Sequence, residues 1–227
     1  MQYDGVDNLQ IMEKSKIYNH YLLQLLENTL QTTDKIVLDF GAGTGFYAKQ
    51  FQRNNPKREI IALEPAENLN DFYEQQNIKK ISSLNEVPQV DLIYSFNVLE
   101  HIEDDQTVLK QLYGKLKDGG HLNLYVPAFP CLYSCMDKKV GHYRRYTKKE
   151  LMQKVQTAGF RVKKCQYKDF AGFFASFLYK ILGNSCGDLN PVALKIYDQY
   201  LMPISILADK LTYGKIVGKN LWLEAVK

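Results

Sequence analysis

The chain is poor in the features that mark secreted, membrane-spanning or nucleic-acid-coating proteins. Only four cysteines (Cys131, Cys135, Cys165, Cys186) occur in 227 residues, and none has the paired C-x-x-C spacing of a zinc site, so free structural thiols are expected. No apolar run approaches the roughly 20 residues of a membrane-spanning helix, and the start, Met-Gln-Tyr-Asp-Gly, lacks the basic and apolar regions of a signal peptide. A cytoplasmic location is the expectation. Long blocks of one charge are missing too: 29 basic and 25 acidic residues leave a formal net charge of +4. The lysines come in pairs such as Lys79-Lys80, Lys138-Lys139 and Lys163-Lys164, which argues against a dedicated nucleic-acid surface. Neither an internal repeat nor a low-complexity segment is present.

A hydrophobic content of 45% over this length is enough for one sizeable core, and a single domain over residues 1–227 is expected. Residues of about 8 to 30 place Leu9, Met12, Tyr18, Tyr21, Leu22, Leu25 and Leu26 at three- and four-residue spacing, the mark of an amphipathic helix. Short apolar runs follow at Ile36 to Phe40, Glu59 to Glu64, Ile78 to Ser82, Val90 to Phe96 and His121 to Val126, mostly separated by helical patterns. Phe160 to Tyr167 and Asn220 to Val226 complete a set of seven strand candidates. This alternation predicts an α/β fold, a doubly wound, mostly parallel sheet with helices on both faces and ligands at the carboxyl ends of the strands. A helical insertion over about 170–218 precedes the last strand. Phe170, Phe173, Phe174, Phe177, Leu178, Ile181 and Leu182 share one face of it; Ile196, Tyr200, Leu201, Ile204 and Leu207 form a second stripe. Core packing or a lid is the first reading, with a homodimer surface or a contact with a membrane or lipid-linked substrate as alternatives.

The chemistry begins where the first strand runs into glycines, in Asp39-Phe40-Gly41-Ala42-Gly43-Thr44-Gly45. Glycines there let the strand turn sharply and let a ligand approach backbone N–H groups. The dinucleotide fingerprint requires a third glycine at the position held by Phe46, so a nucleotide-dependent oxidoreductase using NAD fits less well. The segment resembles motif I of class I S-adenosylmethionine (SAM)-dependent methyltransferases, in which the loop wraps the methionine end of the cofactor and the acid, here Asp39, faces its ammonium group. An acid at that point would repel a pyrophosphate. Glu64, followed by Pro65 at the end of the second strand candidate, stands where a carboxylate can accept both ribose hydroxyls. Ser83 lies past the third, and Asn97-Val98-Leu99-Glu100-His101-Ile102 resembles the cofactor-bordering segment of the same family. Related ubiquinone-pathway enzymes carry a further carboxylate at the position of Asn97 and can hold a divalent cation; its loss here leads to an expectation of no required metal.

Past the fifth strand candidate, Tyr133 to Thr147 crowds aromatic, ionisable and cationic groups, and Thr147-Lys148-Lys149-Glu150 reads as a capping box that opens a helix. Its Gly-His-Tyr-Arg-Arg-Tyr stretch resembles a bacterial methyltransferase branch associated with polysaccharide, lipid or secondary-metabolite pathways. Methyl transfer to a hydroxyl needs alignment and a base, and imidazole is the natural one, so His142 is the first candidate, with Tyr143, Asp137 and His101 behind it. Arg144, Arg145 and Tyr146, with Tyr18 and Tyr21 from the N-terminal helix, are candidate acceptor contacts. The bland alternative is that His142, Arg144 and Arg145 merely tie the loop to the sheet. The expected reaction is O-methylation of a small-molecule, carbohydrate or lipid-linked acceptor; N-methylation and a silent SAM-binding subunit are the alternatives.

Overall fold

The computed structural model describes residues 2, 5–74, 76, 78–182 and 190–227. Two helices, α1 (Val6–Glu13) and α2 (Lys16–Glu27), lead into β1 (Ile36–Phe40), α3 (Phe46–Asn54), β2 (Glu59–Leu63), α4 (Asn70–Glu74), β3 (Lys79–Ile81) and β4 (Val90–Phe96). The chain continues through α5 (Asp105–Lys115), β5 (Leu116–Pro127), α6 (Cys135–Lys139), α7 (Lys148–Thr157) and β6 (Arg161–Lys168). Then α8 (Phe170–Leu182), α9 (Pro191–Ile196), a π-helical turn (Tyr197–Leu201) and α10 (Met202–Thr212) precede β7 (Asn220–Val226). The single N-terminal helix expected from the periodicity is two, parted at Ser15.

The seven strands form one sheet in the order β3-β2-β1-β4-β5-β7-β6. The first five are parallel, and β7 runs antiparallel between β5 and β6. Alternate side chains of each strand serve opposite faces. Leu38, Ile61, Ile93 and Leu124 join the core beneath α5 and α7, whereas Val37, Ile60, Leu92, Tyr94, Tyr125 and Trp222 join the one beneath α2 and α3. A strand that is apolar on both sides must be covered on both, which is why the runs read as continuous rather than alternating. The winding reverses between β1 and β4, so their carboxyl ends diverge into a crevice.

The insertion leaves the sheet after β6 and returns at β7. Lys168 pairs with Asn220, and Asn220 with Pro127 at the end of β5, so the insertion rises from the same sheet edge as that crevice. Among the described residues no helix is long and apolar enough to cross a membrane. Cys131 and Cys165 are free thiols, but Cys135 is disulfide-bonded, which corrects the expectation for that residue. Pairing depends on spatial approach, which C-x-x-C spacing does not report. Cys186 lies outside the described residues.

Candidate active site

Gly41, at the end of β1, has φ +75°, and a Cβ built on it would lie 2.4 Å from Val98 Cγ2. Two loops that end neighbouring strands therefore touch here, and only glycine fits both the backbone conformation and the space. Gly43 and Gly45 also have positive φ; above them sit Leu9 of α1 and the Tyr73 ring. Thr44, buried, donates its hydroxyl to Glu13, so the glycine loop is covered from the N-terminal side. Ala42 is buried as well.

Asp39 is 3% exposed, and its Oδ2 has no hydrogen-bond partner among the described residues. Burial pushes its pKa up to about 7, with Tyr94 opposing and the Glu64 carboxylate adding to the rise. A buried carboxylate oxygen without a donor is costly, and a ligand ammonium would satisfy it. Glu64 accepts from the Gly43 and Ala66 N–H groups, both at 2.9 Å. These bonds fix its orientation, and each oxygen retains a second lone pair for a ribose hydroxyl. Burial raises its pKa, and the two N–H groups oppose that. Pro65 beside it is exposed. Ser83 accepts from Asn85 N–H at 3.2 Å as the cap of a short 3₁₀ turn. Asn97 ends β4 with φ +53° and donates its N–H to the Tyr125 carbonyl. Tyr18 lies against Asn97 and Tyr125, and burial is the main cause of its raised pKa.

One 3₁₀ turn beyond Val98 the acceptor-side groups gather. Glu100 is fully buried and neither carboxylate oxygen has a hydrogen-bond partner on another described residue; burial lifts its pKa to about 8, against the pull of its own N–H and of Arg145. His142 Nδ1 lies 2.8 Å from Asp137 Oδ1, its Nε2 lies 3.8 Å from Glu100 Oε1, and its ring meets His101 edge-on at 4.5 Å. Burial would raise Asp137, but hydrogen bonds from His142 and Arg145 outweigh it and hold the carboxyl well below its usual range. Burial, with the neighbouring His142, lowers His101 to about 4, so this ring stays neutral. Glu100, His101 and His142 bring three potential ligand atoms within 4.8 Å of one another, the group that could hold a metal ion.

The loop carrying His142 is pinned at its root, where the Phe129 N–H donates to the Tyr146 carbonyl and the Tyr146 N–H to the Pro127 carbonyl. Arg145 clamps Asp137 with two hydrogen bonds, at 2.8 and 3.1 Å, and its buried Nη1 is left without a partner. Arg144 pairs with Asp105 at 3.0 Å and donates to the Glu103 carbonyl. For the arginines, then, the tying role occupies two of the three nitrogens of each guanidinium. Two candidate acceptor contacts, Tyr146 and Tyr21, and one candidate base, Tyr143, are placed as follows. Tyr146 is fully buried and bonds to Asp105 and the Leu99 carbonyl, so it belongs to the core. Tyr21 is spent on Asp209 at 2.7 Å. The Tyr143 ring is 54% exposed and only its N–H reaches the site, on the Glu100 carbonyl. The sequence reading missed Glu100 as a site carboxylate and Asp137 as the group that orients His142. The first was legible only as the residue before His101, and the second, five residues before His142, carries no periodic signal.

The model of a family described as a methyltransferase domain matches residues 14–164, more than half of the chain. A tRNA U34 carboxymethyltransferase from Helicobacter acinonychis is 33% identical over 116 residues, which are 44% of this chain and 43% of that protein; the match thus spans less than half of its length. Two solved structures share the fold. A putative sarcosine dimethylglycine methyltransferase from Galdieria sulphuraria superposes with a TM-score of 0.63 at 18% identity, over 100% of this chain and 90% of that one. A SAM-dependent methyltransferase from Archaeoglobus fulgidus gives 0.61 at 17% identity, over 94% of each. By its sequence the chain belongs to the methyltransferase-domain family, and its fold is the one those two structures share.

Proposed function

We propose that the chain methylates a hydroxyl oxygen of a small-molecule, carbohydrate or lipid-linked acceptor, with His142 as the base. The observation that carries this reading is the Asp137–His142 pair. A carboxylate on Nδ1 selects the tautomer whose Nε2 lone pair is free, and steadies the imidazolium that forms when that nitrogen takes a proton. SAM supplies an electrophilic methyl group on a sulfonium and leaves as a neutral sulfide. Asp39 would hold its ammonium group and Glu64 its ribose. Val98 stands at Gly41, and the two residues that His142 meets, Glu100 and His101, belong to the 3₁₀ turn that follows Val98. Alignment of that kind contributes about 7 to 11 kcal/mol in favourable cases. The unpartnered Nη1 of Arg145 offers one charge-assisted hydrogen bond to an anionic acceptor group. For the acceptor hydroxyl to take Nε2, the Glu100 carboxyl, 3.8 Å away and protonated below about pH 8, has to turn aside. A hard divalent cation would need it ionised, so we expect transfer to be insensitive to EDTA.

The test is transfer of labelled methyl from SAM to hydroxyl-bearing glycans, polyprenyl-linked sugars, amines and bulk tRNA, with intact protein and His142→Ala. Ether formation that His142→Ala abolishes, and that survives EDTA, is expected. Label confined to tRNA would overturn the acceptor class, and an unchanged rate in the variant would remove the base.

A further inference from the structure

From Pro191 to Thr212 the chain runs as nearly one helix, through α9, the π turn and α10, and its faces are reversed relative to an ordinary surface helix. The inward side is polar. Asp198 accepts from the Ile17 and Tyr18 N–H groups at the start of α2. Asp209 accepts from Tyr21 and from the Asp169 and Phe170 N–H groups, and Ser205 bridges Asp169 and Ala171. The outward side is apolar: Val192, Ile196, Tyr200, Ile204, Leu207 and Leu211, spaced by four or three residues, are 53% to 72% exposed. Helix α8, which packs against α10, shows the same habit, with Phe174, Phe177, Leu178 and Ile181 at 50% to 61%. Core packing, the first reading of these stripes, does not describe them.

Charge identifies what covers the face. The described acids between residues 169 and 219 are Asp169, Asp198 and Asp209, all buried and hydrogen-bonded. Lys180, Lys195, Lys210 and Lys215 are exposed, and Tyr200 and Tyr213 stand out at 65% and 69%. An apolar face with exposed lysines, outward tyrosines and no exposed acid among the described residues complements an interface of acyl chains beneath anionic headgroups. A two-fold contact between copies would instead bring each lysine set toward its own duplicate.

We propose that the outward face of residues 170–181 and 191–216 lies in the plane of an anionic membrane surface and holds the active-site edge of the sheet against it. Docking is independent of the base assigned to His142 and is measured separately from it. The full chain is sedimented with vesicles of phosphatidylcholine alone and of equimolar phosphatidylcholine and phosphatidylglycerol. Binding to the anionic vesicles, weakened by salt, is expected. Lys195→Glu with Lys210→Glu should weaken it by about fivefold or more per site at low salt, and Ile204→Glu with Leu207→Glu should abolish it. Both double variants alter exposed positions, so the thermal shift with S-adenosylhomocysteine should match that of the intact chain and verify the fold. Failure of the intact chain to sediment with anionic vesicles, or equal sedimentation of folded variants, would overturn the proposal. A dimer in solution that Ile204→Glu splits, without vesicle binding, would assign the face to a second copy.

Discussion

The crevice at the ends of β1 and β4 and the helical insertion beside it treat buried polar groups in opposite ways. In the crevice, Asp39 Oδ2, both oxygens of Glu100 and Arg145 Nη1 are buried without a well-formed hydrogen bond to another described residue. In the insertion, Asp169, Asp198, Ser205 and Asp209 are equally buried and every one is bonded. An unpaired buried group costs about 1–3 kcal/mol, more if charged. Ser15, Gln76, His121 and Asn123 also carry unpartnered buried atoms, so a missing partner alone does not mark a site; in the crevice it falls on groups that a ligand would complete, whereas the insertion completes its own. The same contrast governs the apolar groups. The crevice draws them inward around its strands, whereas the insertion spends its inward face on acids and leaves its hydrophobic one outside.

The comparison breaks most visibly at His142. His142→Ala should lower the rate of transfer by about 10²–10⁴-fold, the usual contribution of a positioned base, with little change in melting temperature or in binding of S-adenosylhomocysteine; single-turnover rates check it. Asp209→Ala should do the reverse. Its carboxylate is shared by Tyr21 and two backbone N–H groups, so about 3 kcal/mol of stability should vanish, read by urea unfolding, while SAM affinity per folded molecule stays nearly constant.

Asp39 tests the crevice through pH. With its pKa near 7 in the free protein against an ordinary value near 4, the native state keeps a proton that the unfolded chain has lost. The stability it contributes is therefore greatest below about pH 4 and falls as pH rises toward 7, and Glu100 continues the same trend to about pH 8. A ligand ammonium favours the ionised form, so SAM should bind more tightly as pH rises through 7. Calorimetric affinities at pH 6 and pH 8 check this. Asp39→Asn should flatten the dependence and weaken binding at pH 8 by roughly 10- to 100-fold, the worth of a hydrogen bond between charged partners.

The sheet was legible because its strands are buried on both faces, and Val37-Leu38 or Ile60-Ile61 can be little else before a turn. Gly41 and Glu64 were legible because a backbone conformation and a strand end constrain them locally. Tyr21 and Tyr146 were not: each satisfies an acid far away in sequence, Asp209 and Asp105, and no local pattern announces a partner. The insertion misled for a related reason. A 3.6-residue apolar stripe reports that one face differs from the other, and periodicity cannot say which of the two faces the protein.

Thr147 supplies the smallest and cleanest control. It caps α7 immediately after the loop that carries His142, its hydroxyl accepting from the Glu150 N–H at 3.1 Å, and it touches none of the unpartnered groups. Thr147→Ala should cost about 1 kcal/mol of stability, measured by thermal unfolding, and leave both the transfer rate and the pH dependence of SAM binding where they were. A capping residue satisfies its own helix, so it belongs with the insertion's acids although it follows the loop that carries His142. If its loss slowed transfer as much as the loss of His142, the loop would be positioned by its cap rather than by Asp137, and the line drawn between completed and uncompleted groups would have to move.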